Sequence, residues 1–415
     1  MPWALGVIFL GHLVTLSPCH RVTVSAAEPN DPIFLLQTAS GPAASGPLQE
    51  LGEQWRVRLG GPNPVHTEAD DLLELRRVGR RLPPLPEGEQ LVFVNGDRVP
   101  GTALQLVGER LVFRPHLTER SRDDKPVAVP VSAVSVLWLA DPETDHPGLL
   151  RRRLAAGRRP RDLVYLRNGD TIEGTLTDLN EQSVAVEIGK EVMTLPRGRV
   201  AVIAFNTELT SSLRPRGPYG RLVLVNGGRL SLASAACADG RTLTGTTLFK
   251  APVRIPLDEV AALYVYQGRA VYLSDLKPLR YEYTSFLPTA LPGGYVADGS
   301  FGGRDLRLGG NTHDKGLGMH SAGRLTYDLS GDYRRFEALV GLDDRDGRRG
   351  SVRVRVLVDG KPKDAGADRE LTGGSEPLPL RVDVTGAKEL TLVVEFGRAG
   401  DVEDHVNWAD ARLVR

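Results

Sequence analysis

Cysteine is nearly missing from this chain: Cys19 and Cys237 are the two in 415 residues. Cys19 falls in an N-terminal segment that reads as removable, which leaves Cys237 alone and no intrachain disulfide. The fold must then rest on packing or on a metal. Lysine is also scarce, 8 of 52 basic residues, so clustered arginines are a habit of composition and weak signs of a site. Formal net charge is zero, which gives no global pull towards nucleic acid or an anionic membrane. HExxH, GxSxG, a P-loop and zinc-spaced Cys/His clusters are all absent, which excludes the common hydrolase, nucleotide and zinc signatures. Beyond the N-terminus no apolar run is long enough to cross a bilayer as a helix.

What is present begins with residues 4–16, mostly apolar, followed by Val24-Ser25-Ala26 in the small-x-small pattern of a cleavage site. Residues 1–26 therefore read as an export signal, although no Lys or Arg precedes the apolar run and His12 interrupts it. Export puts the mature chain in the periplasm, on the cell surface or outside the cell. Residues 27–90 are rich in Gly and Pro and are expected to be loosely ordered, with one short helix near residues 68–78.

The middle of the chain repeats a pattern. LVFVNGDRVPGTALQLVGERLVFR (91–114), LVYLRNGDTIEGTLTDLNEQSVAVEI (163–188) and LVLVNGGRLSLASAACADGRTLTGTT (222–247) each open with an apolar strand and turn at Asn-Gly. Asn-Gly between alternating runs is a strong hairpin signal. A Pro-marked strand pair follows each, giving three β units, SH3-like or Sm-like, at residues 91–140, 163–206 and 221–266. They read either as a platform for binding or assembly, or as a spacer holding the C-terminus away from a surface. The basic run of residues 151–161 reads as a solvated linker.

Residues 276–415 alternate in a different way. Val352, Val354, Val356 and Val358 share one face, opposite Arg353 and Arg355, and Asp359-Gly360 follows as a tight turn. Leu380, Val382 and Val384, then Leu390, Leu392, Val394 and Phe396, repeat the period of two. Short strands, Gly-rich turns and no long helix make the chain all-β, ending in a β-sandwich or jelly roll. Three phrases fall in order here: HDKGLGMHS (313–321), GLDDRDGRRGSVRVRVLVDGK (341–361) and HVNWADARL (405–413). In that order they resemble the NPCBM type of carbohydrate-binding module, family 51.

The resemblance implies a β-sandwich with a shallow sugar pocket in loops at one edge, galactose-type ligands, and sometimes a structural calcium. Carried onto this chain by motif, the sugar-binding candidates are His320, Asp343, Asp344, Asn407 and Trp408. Sugar recognition asks for one stacking ring and a few fixed polar groups. Each candidate has a plainer alternative: Trp408 as a core plug, His320 as a turn cap, Asp343 and Asp344 as acceptors of turn amides. Asp344-Arg345-Asp346-Gly347 holds part of a calcium-loop pattern, which makes Asp344 and Asp346 metal candidates, but no Glu closes it as an EF-hand would. Asp343-Asp344 and Glu403-Asp404 are the carboxylate pairs available to a glycosidase. The expectation is an exported, non-catalytic glycan-binding protein. An envelope assembly protein is the alternative, with envelope proteins as partners, and a glycoside hydrolase is a lesser one.

Overall fold

The computed structural model describes residues 31–118, 125–143, 147–211, 213, 215–286, 294–363 and 370–415; the expected export signal lies outside them. Strands dominate, as expected. The repeats number four, one more than the Asn-Gly turns announce. The first has strands Ile33–Thr38, Ala44–Leu51, Val57–Leu59, Val65–His66 and Leu72–Arg77. The second runs through Gln90–Phe93, Arg98–Val107, Arg110–Pro115, Val127–Pro130 and Val134–Trp138. Asp162–Leu166, Thr171–Leu179, Ser183–Ile188, Glu191–Pro196 and Val200–Ala204 make the third. The fourth has Tyr219–Leu224, Arg229–Ala236, Thr242–Thr247, Pro252–Pro256 and Val260–Tyr266. In each, successive strands pair up to the fourth and the fifth returns to the first.

The Asn-Gly hairpins share one geometry. Gly96, Gly169 and Gly227 have φ of 84°, 90° and 88°, and each donates its amide to the carbonyl three residues back, on Phe93, Leu166 and Leu224. This is a type I turn closed by a left-handed glycine. Unit one lacks that turn, and residues 27–90 were expected to be loose with a helix near 68–78. That expectation fails: Leu72–Arg77 is a strand. Leu72, Leu73, Glu74 and Leu75 are all buried, so packing on both faces overrides the local preference of LLELRR.

The units pair through their fifth strands in a nested order. Leu75 lies opposite Leu263, joining units one and four, and Leu137 lies opposite Ile203, joining two and three. Each pairing leaves an outer face to be covered. Over units two and three lies the helix Pro147–Ala156, with Leu150 and Leu154 against Val136, Trp138 and Ala201. The basic run is thus partly helical, with Arg153, Arg158 and Arg161 exposed as a solvated segment would have them and Arg159 turned inwards. Arg159 is buried and donates to the carbonyls of Leu154 (2.6 Å) and Phe205 (3.1 Å).

Over units one and four lies the C-terminal sandwich. One of its sheets runs Val296–Ala297, Gly316–His320, His405–Val414, Arg335–Leu342, Leu378–Asp383, with Ala270–Tyr272 also on His405–Val414. The other runs Arg280–Tyr283, Gly323–Asp328, Glu389–Phe396, Ser351–Val358, Lys361–Pro362, with Glu370–Thr372 on Ser351–Val358. The inward set contains Val352, Val354, Val356, Leu390, Leu392 and Val394, as the alternation predicts. Asp359 and Gly360 both take positive φ in their turn. The sandwich begins earlier than residue 276, because Ala270–Tyr272 is one of its strands.

Matched polar groups seal this docking. Arg229, 1% exposed, donates from Nε to Asp314 at 3.0 Å. Arg412 donates to Glu337 at 3.0 Å, to Glu74 at 3.4 Å, and to Gln37. Arg76 reaches Asn311 at 2.7 Å. Buried charges matched in this way hold the module against the units.

Candidate functional site

The three phrases divide between two ends of the module. Asn311, His313, Asp314, Asp410 and Arg412 gather on the docked side, where His313 Nδ1 lies 2.7 Å from Asp410. His320 pairs with His405 across the sheet, and the Asp343 amide donates to the His405 carbonyl at 2.8 Å. His320, the 343–350 loop and the 397–405 loop therefore share the opposite end.

Most of the expected sugar ligands at that end are scaffold. Trp408 is 0% exposed and sits in the sandwich core with Leu317, Phe336 and Val354. A ring with no open face cannot stack on a sugar, so Trp408 is the core plug. Asp343 accepts the amides of Arg345 (2.9 Å) and Asp346 (3.0 Å) on one oxygen and Asn407 Nδ2 (2.7 Å) on the other. Asn407 is fully buried and also donates to the Arg307 carbonyl at 3.2 Å. Asp344 accepts the amides of Gly309 (3.0 Å) and Gly310 (2.8 Å). These bonds fix the loop instead of facing outwards.

The metal candidates do not converge. Asp344 turns to the 309–310 amides, while Asp346 lies 3.7 Å from Arg304. Among the described residues no three His, Cys, Asp or Glu side chains are grouped to hold an ion, and Asp344 with Asp346 does not fit calcium. The carboxylate pairs fit catalysis no better. Asp404 is fully buried and bonded to Ser321 Oγ (2.5 Å) and the Ser351 amide (2.9 Å). Burial pushes its carboxyl above the usual range. Glu403 is engaged by Arg349.

His320 is itself buried, and Asp344 is the half-buried member of the expected set; what ties His320 to the loop end is its contact with two half-buried rings. The Nδ1 of His320 donates to the Ser321 carbonyl at 2.8 Å, and its ring lies 4.9 Å from Phe301 and 5.5 Å from His405. Phe301 and His405 are edge-to-face at 5.2 Å, and both are half-buried. Burial, then the neighbouring His320, pulls the His405 imidazole below its usual pKa. The sequence contained both residues, but His405 sits among strand residues buried on both faces, and Phe301 stands in a Gly-rich loop without pattern.

A cleft of about 550 Å³ opens in the adjoining loops, lined by Arg349, Ser351, Glu370, Thr372 and Arg398 among others, and the Ser351 amide bonds Asp404, next to His405. Glu403 joins the two features: it holds Arg349 of the cleft and is two residues from His405. Phe286, 53% exposed, packs edge-on to Phe396 at 5.3 Å near the same loops. Aromatic edges, guanidinium groups, hydroxyls and carboxylates at one open end can meet both the C–H face and the hydroxyls of a sugar.

The sandwich, docked on one side and open at its loop end, is the part of the chain that matches a known family of domains. Residues 269–414 are an NPCBM/NEW2 domain, the carbohydrate-binding-module type that the three phrases resemble. A Renibacterium salmoninarum protein, provisionally named an endo-alpha-N-acetylgalactosaminidase, is 26% identical over 287 residues; the match covers 66% of this chain and 18% of that protein. This chain thus spans under a fifth of that relative's length. A CBM51 from Clostridium perfringens GH95, solved with methyl-galactose, is 27% identical and covers 35% of this chain and 99% of its own, with a TM-score of 0.31. CBM51-2 of Clostridium perfringens ZmpB, solved with GlcNAc and with INT domains, is 25% identical, covers 46% and 42%, and has a TM-score of 0.32.

Proposed function

We propose that this chain is an exported, non-catalytic glycan-binding protein that holds a galactose-type sugar across the loop end of its C-terminal sandwich. The observation that carries this is the gathering of Phe301, His320 and His405 at the loop end of an NPCBM/NEW2 domain, with the open cleft in the adjoining loops. The rings meet the apolar face of the pyranose, and the exposed guanidiniums of Arg349 and Arg398 take its hydroxyls. Non-catalytic action is supported by Asp343 and Asp404, whose oxygens are occupied by internal bonds. The four paired units are the platform on which the module is mounted.

A glycan array probed with the full chain tests the reading, with galactose-terminated and N-acetylhexosamine-terminated glycans as the discriminating sets. Phe301→Ala or His405→Ala should weaken a galactose-type hit by about 1–3 kcal/mol while the melting temperature holds. Binding that survives both substitutions would move the sugar elsewhere on the module. Release of reducing sugar by the purified chain would return it to the hydrolases.

A further inference from the structure

Beyond the module, unit two carries a guanidinium without a bonded partner. Arg98 opens the strand Arg98–Val107, across from Arg229 of unit four. Arg229 is matched by Asp314; Arg98, half-buried, has no acceptor at bonding distance among the described residues. Burial pulls it below the usual arginine range, against the attraction of Asp305 and Asp314, while Arg151 and Arg229 add repulsion. Such a charge normally has a partner.

Arg98 borders a pocket of about 170 Å³ under the helix Pro147–Ala156. Val92, Phe93, Val136, Trp138 and Leu154 form its apolar walls, and Ser135 is the one neutral hydroxyl of the lining. Arg151 enters from the helix, its guanidinium 4.7 Å above the Trp138 ring and 3.6 Å from Asp141, whose carboxylate already accepts Trp138 Nε1 at 2.9 Å. Two guanidiniums therefore face one small, mostly apolar space.

We infer that this pocket binds a small carboxylate with an apolar body, the carboxylate between Arg98 and Arg151 and the body against Val92 and Val94, the half-buried apolar residues of the lining. Planar guanidinium forks match a carboxylate. Inorganic phosphate has no apolar body to cover these walls, so a carboxylate that carries one is the better match. The site is on the repeat platform and does not depend on the sugar-binding reading.

Calorimetric titration of the full chain with benzoate, benzamide and inorganic phosphate tests this. Benzoate should bind at one site and the neutral isostere benzamide at least about tenfold more weakly, because the charge-assisted bonds are lost. Arg98→Gln and Arg151→Gln should each weaken benzoate about ten- to a hundredfold. Arg98→Gln should also leave the melting temperature of the free protein unchanged or raised, since an unmatched charge is removed. If Arg98→Gln does not fold, Arg98 is structural and the inference fails. Arg151→Gln, on the pocket rim, checks the same claim independently. Absence of benzoate binding, equal binding of benzamide, or a preference for phosphate would each overturn it.

Discussion

At the scale of single residues, the phrase HVNWADARL separates three roles on one strand. Trp408 faces the core, Asp410 and Arg412 face the repeats, and His405 lies at the open end. Trp408→Ala should destabilise the protein by about 3–5 kcal/mol in urea unfolding, the cost of an aromatic lost from a packed core, with no separable effect on sugar affinity. His405 gives a pH signature. Its folded pKa lies below 6.5, so the unfolded chain takes up the proton first. Its contribution to stability is complete above the unfolded value and is lost as pH falls through it. Subtracting the profile of His405→Gln from that of the parent between about pH 5 and 7 should show this decline, with Asp343, Asp346 and Glu403 opposing it. The sequence did single out His320, which lies at the loop end of the sandwich. It could not separate Trp408 from His405, because Val406, Asn407, Trp408 and Ala409 are all buried and alternation carries no information on a strand covered on both sides. Asp410, at φ 51°, also breaks the parity of the strand.

At the scale of elements, hairpins were legible and their partners were not. Asn-Gly marks three of the four units, because the turn demands a residue that accepts positive φ. Unit one turns without it and was lost in a Gly- and Pro-rich stretch. Leu72–Arg77 reads like a helix until Val260–Tyr266 and the C-terminal module cover its two sides. Docking depends on the pair Arg229–Asp314, with side chains 1% and 10% exposed. Asp314→Asn leaves a buried guanidinium unmatched and should cost about 3–5 kcal/mol, whereas Arg229→Met with Asp314→Leu should recover most of that loss. A double-mutant cycle by chemical denaturation reads the difference; equal losses from the single and double variants would show that the pair is not the seat of the docking energy.

At the scale of the molecule, four units and a sandwich are joined by strand pairing and buried charge, with the loop end of the sandwich left open. The module's boundary follows from this. A fragment of residues 276–415 lacks Ala270–Tyr272, whose Tyr272 is buried against Tyr266 at 5.3 Å. It should melt below a fragment of residues 269–415, and both should melt below the full chain, because each exposes Arg412 and His313. The sequence supplied the three phrases and the all-β class. The docking was hidden because its residues, Arg76, Arg229, Asp314 and Arg412, are scattered over hundreds of positions and each is ordinary alone. The most direct test of the account is a glycan array with the full chain beside its His405→Ala variant. The account predicts selective binding of galactose-type glycans by the parent, and loss of that signal in a variant that melts normally. A folded parent that binds no glycan on the array would contradict it.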